Sequence, residues 1–362
     1  MRHPFDHLAA RTALTLTGVA GPGPVHPRRV RRGCAGRVFR RSGPPGSAPV
    51  TRLAAVSRPL LLVDTASLYF RAYFGIPESA VTAPDGTPVN AVRGFLDMLA
   101  TLVRTRQPGR VVCALDTDWR PAWRVALLAS YKAHRLAADG GEQTPDGLSA
   151  QVPIILDVLD ALGVPAVGLA GYEADDVIGT LATREPGPIE VASGDRDLFQ
   201  LVDDDRAVSV LYCGRGVSKL EVYDDAVVRG KYGVPAAAYA DFAAMRGDPS
   251  DGLPGVAGVG EKTAARLIER YGSLDGVLAA LDDPASGFAP GLRTKLIAAR
   301  DYLAVAPEVV GVAREAAVPP VDGRLPVAAE GERLLALAEK WNIAGALRRA
   351  VDALTAQPPA DR

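Results

Sequence analysis

Histidine is scarce in this 362-residue chain. Of four, three (His3, His7 and His26) fall near the start, which leaves His134 alone in the body. A Ser-His-Asp hydrolase or a His-based nuclease has little to build on. The three cysteines, Cys34, Cys113 and Cys213, stand at unrelated spacings. That excludes a disulfide framework and a zinc motif, and no cysteine has a nearby histidine to activate it. Free thiols fit a reducing cytosol. No apolar run reaches the length of a membrane span, and no internal repeat is visible. Lysine is absent from residues 1–58, which hold eleven arginines and one acid, Asp6. The remainder carries 30 basic and 41 acidic side chains, so the total of −1 hides an acidic body. Such a body argues against nucleic acid unless cations sit among the acids.

What is present is enough for a full core and two domains, with 48% hydrophobic and 23% charged residues. Residues 1–58 are rich in Gly, Pro and Arg and lack periodicity, so they are expected to be disordered. They read as a basic arm adding nonspecific DNA affinity, or as a leader or an over-extended gene start.

From Leu60 the pattern alternates. Strands are expected at 60–63, 111–115, 164–169, 189–193 and 208–212, with helices at 67–73, 89–106 and 152–162 between them. That alternation predicts an α/β fold with a mainly parallel central sheet. Residues 117–150 break the rhythm and are expected to overhang the strand ends. After Tyr223 the pattern becomes helical, at 224–232, 235–246, 261–271, 274–281, 292–303 and 334–354, with a link at 317–326. The expected organisation is a core over 59–222, a helical region over 223–320 and a helical tail over 321–362.

The acids are concentrated in Gly171-Tyr172-Glu173-Ala174-Asp175-Asp176. Acids in a first helical turn suit the positive helix end, so capping and metal binding are both open on this stretch alone. Asp64, Asp116, Asp195, Asp197, Asp248 and Asp251 follow apolar runs or sit in tight turns, where open α/β sheets keep their sites. Nine carboxylates in one place repel each other unless cations lie between them. The expected ion is Mg²⁺.

The second signal is Gly255-Val256-Ala257-Gly258-Val259-Gly260-Glu261-Lys262-Thr263. Gly255, Gly258 and Gly260 let backbone approach a ligand, and the amides opening the next helix can hold a phosphate, flanked by Lys262, Thr263 and Arg266. The plain alternative is a Gly-rich turn between helices. The spacing is not that of an NTP-binding loop. Lys132 and Arg135 lie three apart, on one expected helical face, and can clamp a phosphate; a solvated pair is the plain alternative. Tyr69, Tyr73 and Tyr131 can stack on bases or pack in the core. Arg71 is a further candidate phosphate contact.

The Gly255–Gly260 stretch, read as a helix-hairpin-helix, and Met245-Arg246-Gly247-Asp248-Pro249-Ser250-Asp251 before it resemble the 5′ nuclease family. That family comprises flap endonucleases and the 5′–3′ exonuclease domain of bacterial DNA polymerase I. The resemblance extends to Leu62-Val63-Asp64 with Tyr69-Phe70-Arg71-Ala72-Tyr73, to Leu115-Asp116, and to Tyr131-Lys132-Ala133-His134-Arg135. It also takes in Gly171 to Asp176 and Ser193-Gly194-Asp195-Arg196-Asp197. It covers roughly residues 59–320. Thr65 stands where many members carry Gly. With about forty residues remaining, no polymerase or proofreading domain is expected to follow.

The resemblance implies a PIN-like core, a helical arch and a helix-hairpin-helix region. It implies that Asp64, Asp116, Glu173, Asp175, Asp176, Asp195, Asp197, Asp248 and Asp251 bind or support two Mg²⁺, with Mn²⁺ as substitute. Two such ions about 4 Å apart can activate water and stabilise the leaving oxygen. It gives Lys132 and Arg135 the phosphate clamp and the hairpin a bound K⁺. The implied substrate is DNA with a 5′ flap, nick or overhang, or an RNA primer–DNA hybrid. A monomer in the cytoplasm, associated with the nucleoid, is expected. The rivals are a PIN-like ribonuclease, against which the hairpin counts, and a DNA-binding scaffold without activity, against which the full set of acids counts.

Overall fold

A computed structural model describes residues 58–138 and 140–356. The arginine-rich extension expected over residues 1–58 lies outside them, apart from Arg58.

The sheet has six strands: β1 Leu60–Asp64, β2 Arg110–Ala114, β3 Ala166–Val167, β4 Ile189–Ser193, β5 Val208–Tyr212 and β6 Glu221–Tyr223. They lie in the order β3-β2-β1-β4-β5-β6. All neighbours pair parallel except β5 and β6. Leu62 sits opposite Val112 on one side and Val191 on the other. Every residue of β1 and β4 is buried, because helices cover both faces, which is why Leu60 to Val63 read as an unbroken apolar run, while in β4 the buried Glu190 is paired with Arg106. The chain leaves β1 in one direction for β2 and β3 and in the other for β4 and β5. The strand order therefore reverses between β1 and β4, and the crevice at their carboxyl ends is where open sheets of this order bind ligands.

In chain order the helices begin with α1 Thr65–Gly75, α2 Asn90–Arg106, α3 Ala122–Leu127, α4 Asp146–Ser149, α5 Val152–Ala161 and α6 Ala174–Arg184. After β6 come α7 Asp225–Tyr232, α8 Tyr239–Arg246, α9 Glu261–Tyr271 and α10 Leu274–Leu281. The last are α11 Pro290–Ala298, α12 Arg300–Val310, α13 Gly331–Trp341 and α14 Ala344–Thr355. The stripe of Val92, Phe95, Leu96, Leu99, Leu102 and Val103 on α2 is wholly buried, and α14 packs along the same helix.

Four expectations are corrected. The strand expected over 164–169 shrinks to two residues, because Pro165 has no N–H to give a ladder and serves only as an acceptor for Cys113. The antiparallel β6 was not anticipated, since Glu-Val-Tyr is too short to show a period. The helix expected over 292–303 is two, α11 and α12, which meet at Ala299. The one expected over 334–354 is broken by Asn342, which takes a left-handed conformation (φ 52°) and donates its side chain to the Thr82 carbonyl.

Candidate active site at the carboxyl edge of the sheet

Asp64 closes β1 and caps α1. Its Oδ1 accepts the Ser67 amide at 3.0 Å and its Oδ2 accepts the Ser193 hydroxyl, from the end of β4, at 2.6 Å. Burial, with the charge of Asp116 added, lifts its carboxyl to about 7. Asp116, just past β2, accepts the Ala174 amide at 2.8 Å and so ties a strand end to the start of α6. Asp195 follows β4 and stands exposed at the mouth, its Oδ1 accepting the Asp197 amide at 2.8 Å.

Asp175 lies in the first turn of α6. It is held well above the usual carboxylate range by burial and then by the charges of Asp195, Asp64, Glu173 and Asp116. Asp197 is raised by burial and by Asp195, Asp251 and Asp248. Seven of the nine expected carboxylates lie within electrostatic reach of one another around this crevice: Asp64, Asp116, Asp175, Asp195, Asp197, Asp248 and Asp251. Asp248 and Asp251 come from the loop after α8, where Asp248 bridges Leu253 through paired backbone bonds.

The other two acids point elsewhere. Asp176 is 0% exposed and its carboxylate accepts four bonds. Two come from Arg124 (both 2.7 Å), one from the Ala313 amide (2.8 Å) and one from the Glu173 amide (3.1 Å). No lone pair is left for an ion, so the expectation that Asp176 serves a metal is not met by its geometry. Glu173 caps α6 in a reciprocal box with Asp176. It accepts Arg124 at 2.6 Å, the Tyr131 hydroxyl at 2.8 Å and the Lys132 ammonium. Burial lifts Glu173 to about 7 against the opposing pull of Lys132 and Arg124. Capping and site formation, open alternatives in the sequence, divide within one turn: Glu173 and Asp176 cap, while Asp175 faces the crevice.

The insertion does not form the expected helix over Lys132 and Arg135. Lys132 adopts a left-handed conformation (φ 47°) ahead of a single tight turn, Ala133–Arg135. The two side chains diverge. Lys132, 14% exposed, reaches Glu173, while Arg135 reaches the Ser250 carbonyl at 2.6 Å and Asp251 at 2.7 Å. Burial would discharge Lys132, but Glu173 holds it protonated well above the usual range. The insertion also docks on the helical region. The Lys132 amide donates to the Asp251 carbonyl (2.9 Å) and the Ser130 hydroxyl to the Gly252 carbonyl (2.8 Å). A Cβ at Gly252 would run into the Ser130 carbonyl oxygen.

Arg71, two turns into α1, lies against Gly194, and its Nε is buried without an acceptor. Tyr131 and Tyr69 are buried, which suits packing rather than stacking. Tyr73 hydrogen-bonds Glu78 and lies edge-on to Phe74. Phe74 is 71% exposed and stacks on Phe70. These two phenylalanines escaped the sequence reading because nothing in the helix period separates them from core positions.

The glycine segment is a tight loop. Gly255 (φ 63°) and Gly258 (φ 72°) require the left-handed region. Val256, between them, and Val259, just after Gly258, are buried and anchor the loop to the core. Lys262 and Arg266 are exposed on α9, and the Gly260, Glu261 and Lys262 amides have no acceptor among the described residues.

Among the described residues, no three carboxylate, imidazole or thiol groups stand close enough to hold one ion directly. The raised Asp64 and Asp175 mark a crevice that a divalent charge would stabilise.

A sheet whose strand order reverses at an acidic crevice, followed by helices and a glycine-rich turn, defines a class of mainly parallel α/β proteins with a site at the carboxyl edge of the sheet. The chain belongs to the 5′-3′ exonuclease family. The family model for the 5′-3′ exonuclease N-terminal resolvase-like domain matches residues 59–233, and that for the C-terminal SAM fold matches 234–327. A Streptomyces coelicolor protein named 5′-3′ exonuclease is 55% identical, over 82% of this chain and 100% of the relative. One from Mycobacterium tuberculosis is 51% identical, over 83% and 99%. The DNA polymerase I of Mycobacterium bovis is 42% identical, over 66% of this chain and 26% of its own length.

Among solved structures, the T5 D15 protein crystallised with metal ions matches 82% of this chain and 100% of its own, at a TM-score of 0.54 and 16% identity. The Rad2 catalytic core in complex with DNA matches 83% and 92%, at 0.52 and 15%. These two likenesses bear on the fold alone. No helix among the described residues is long and apolar enough to cross a membrane.

Proposed function

We propose that this chain hydrolyses DNA phosphodiesters at or near a 5′ end, as a 5′–3′ exonuclease and flap endonuclease that uses Mg²⁺. The observation that carries this reading is the convergence of Asp64, Asp116, Asp175, Asp195, Asp197, Asp248 and Asp251 on the crevice where strand order reverses. The names of the bacterial relatives support the activity. The titles of the fold neighbours, which include a T5 flap endonuclease with DNA and metal ions, support the substrate and the cation.

Divalent ions held by these seven carboxylates, Mg²⁺ or Mn²⁺ in its place, would activate water and stabilise the leaving oxygen. The chain's own residues do the rest. Arg71, whose terminal guanidinium nitrogen lies beside Gly194, is the expected phosphate contact there. Lys132 brings a fixed positive charge to the rim, where it offsets charge developing on the scissile phosphate. The free amides at the start of α9, with Lys262 and Arg266, hold duplex backbone without reading sequence. K⁺ on the carbonyls of the 255–260 loop would reinforce that grip. Phe74, exposed and stacked on the half-buried Phe70, offers an aromatic face to unpaired bases. A flap, nick or overhang presents both a duplex for α9 and a free strand for the insertion. The expected setting is the bacterial cytoplasm.

A 5′-labelled flap DNA, incubated with Mg²⁺, Mn²⁺ or EDTA beside its all-RNA counterpart and an RNA primer–DNA hybrid, tests this reading. Short labelled products from DNA in Mg²⁺, absent in EDTA, are expected. Cutting of the all-RNA substrate alone would replace the proposal with a ribonuclease.

A further inference from the structure

Arg124 is absent from every motif described above, yet it is the largest of the fully buried side chains, 2% exposed. All five of its guanidinium N–H groups are used. Nε donates to the Val309 carbonyl at 3.0 Å, and one terminal nitrogen donates to Glu173 at 2.6 Å and Asp176 at 2.7 Å. The other donates to Asp176 at 2.7 Å and the Gly311 carbonyl at 3.0 Å. The guanidinium also lies 4.3 Å over the Trp123 ring, and the Trp123 indole donates to the Gly171 carbonyl just before the acidic turn. One side chain from the insertion thus grips both residues that cap α6.

Asp175 sits between those two gripped residues. The positions of Glu173 and Asp176 fix the first turn of α6, and that turn fixes where Asp175 points. The turn is also pinned from the far side, since Asp116 accepts the Ala174 amide. A buried pair of acids needs a cation to be tolerated, and a rigid fork matches the two carboxylates where a point charge would not.

We propose that Arg124 is a positioning residue for the metal crevice: by clamping Glu173 and Asp176 it aims Asp175 at Asp64, Asp116 and Asp195, and it makes docking of the insertion and assembly of the crevice one event. The proposal rests on the nuclease reading above. Arg124 touches neither substrate nor ion; it acts through the backbone of α6. It accounts for why the side chains that donate to Glu173, namely Arg124, Tyr131 and Lys132, all come from the insertion.

The test uses the full chain and direct Mn²⁺ binding, followed by electron paramagnetic resonance, beside thermal unfolding and flap-cutting kinetics. Arg124→Lys keeps the charge but loses the fork. It is expected to weaken Mn²⁺ binding about tenfold or more, the usual effect of removing a group that orients ligands, and to lower kcat with KM little changed. Arg124→Gln alone leaves one buried carboxylate uncompensated, since Lys132 still pairs with Glu173, whereas Arg124→Gln with Asp176→Asn restores neutrality. The double variant carries the test if Arg124→Lys fails to fold. It is expected to regain melting temperature over Arg124→Gln while Mn²⁺ binding stays weak. Wild-type Mn²⁺ affinity in Arg124→Lys or in the double variant would reduce Arg124 to charge balance and overturn the proposal. Failure of the unaltered protein to bind Mn²⁺ would instead strike at the nuclease reading.

Discussion

Asp64 accepts the Ser193 hydroxyl at 2.6 Å, joining the ends of β1 and β4 across the point where the strand order reverses. The same hydroxyl oxygen accepts the Asp195 amide at 2.9 Å. One small side chain therefore sets both a deep and an outer carboxylate. Ser193→Ala is predicted to lower kcat about tenfold and to cost about 1 kcal/mol of stability. Steady-state cutting of a flap DNA and denaturant unfolding measure the two. Unchanged kcat would mean that neither acid depends on this bond.

The lifted Asp64 carboxyl ties stability to pH. Its folded value of about 7 lies above the ordinary 3.8, so between these values the native state binds a proton that the unfolded chain releases. Stability from this group is present at low pH and fades as pH rises to about 7. In EDTA the melting temperature is predicted to fall from pH 5.5 to pH 8. Millimolar Mg²⁺, which binds the ionised acids, should restore several degrees at pH 8 and less at pH 5.5. A melting temperature indifferent to Mg²⁺ at pH 8 would contradict cation binding in the crevice.

Lys132 is held at the rim by Glu173 and by its own backbone. Lys132→Ala is predicted to slow single-turnover cutting by roughly 10²–10³ while DNA affinity in Ca²⁺ changes little. Equal losses in rate and affinity would assign Lys132 to binding alone.

Asp64 and Asp176 should separate cleanly. Asp64→Ala is predicted to abolish cutting and leave DNA binding in Ca²⁺ largely intact. Asp176→Asn leaves Arg124 and Lys132 facing the single charge of Glu173 and is predicted to destabilise the fold by about 3–5 kcal/mol, seen as a drop in urea midpoint. An Asp176→Asn protein as stable as the parent but inactive would return Asp176 to the metal crevice.

The exposed Lys262 contacts backbone in the proposed complex. Lys262→Ala is predicted to weaken binding to nicked duplexes of unrelated sequence alike, and to reduce the slope of log affinity against log salt by about one. A loss confined to one sequence would point to base contact instead.

Much of this was legible in the chain. Leu60 to Val63 are legible as a buried strand because both faces are apolar, Ile189 to Ser193 are legible from Ile189, Val191 and Ala192 in spite of Glu190, and the acids at or after the strand ends fall where parallel sheets place ligands. The glycines at 255 and 258 gave away a loop that only left-handed backbone can make. The split within Glu173-Ala174-Asp175-Asp176 was not legible, because helix period says which side chains share a face but not which cation waits there. Arg124 was invisible for the same reason: its partners lie 49 and 52 residues on, beyond any local pattern. The course of Lys132 was misread because a helix was assumed where docking on Asp251 and Gly252 imposes a tight turn.

The foothold of Ser130 on Gly252 carries a consequence for where a strand is cut. The insertion beside the acids is fastened to the short loop that leads into the glycine turn, so the place of gripping and the place of cutting are joined by folded protein and not by a slack tether. On the proposed function, a molecule built in this way is expected to work as a ruler, its incision registered from the duplex junction, and a bulkier residue at position 252, which would collide with Ser130, is expected to displace that mark.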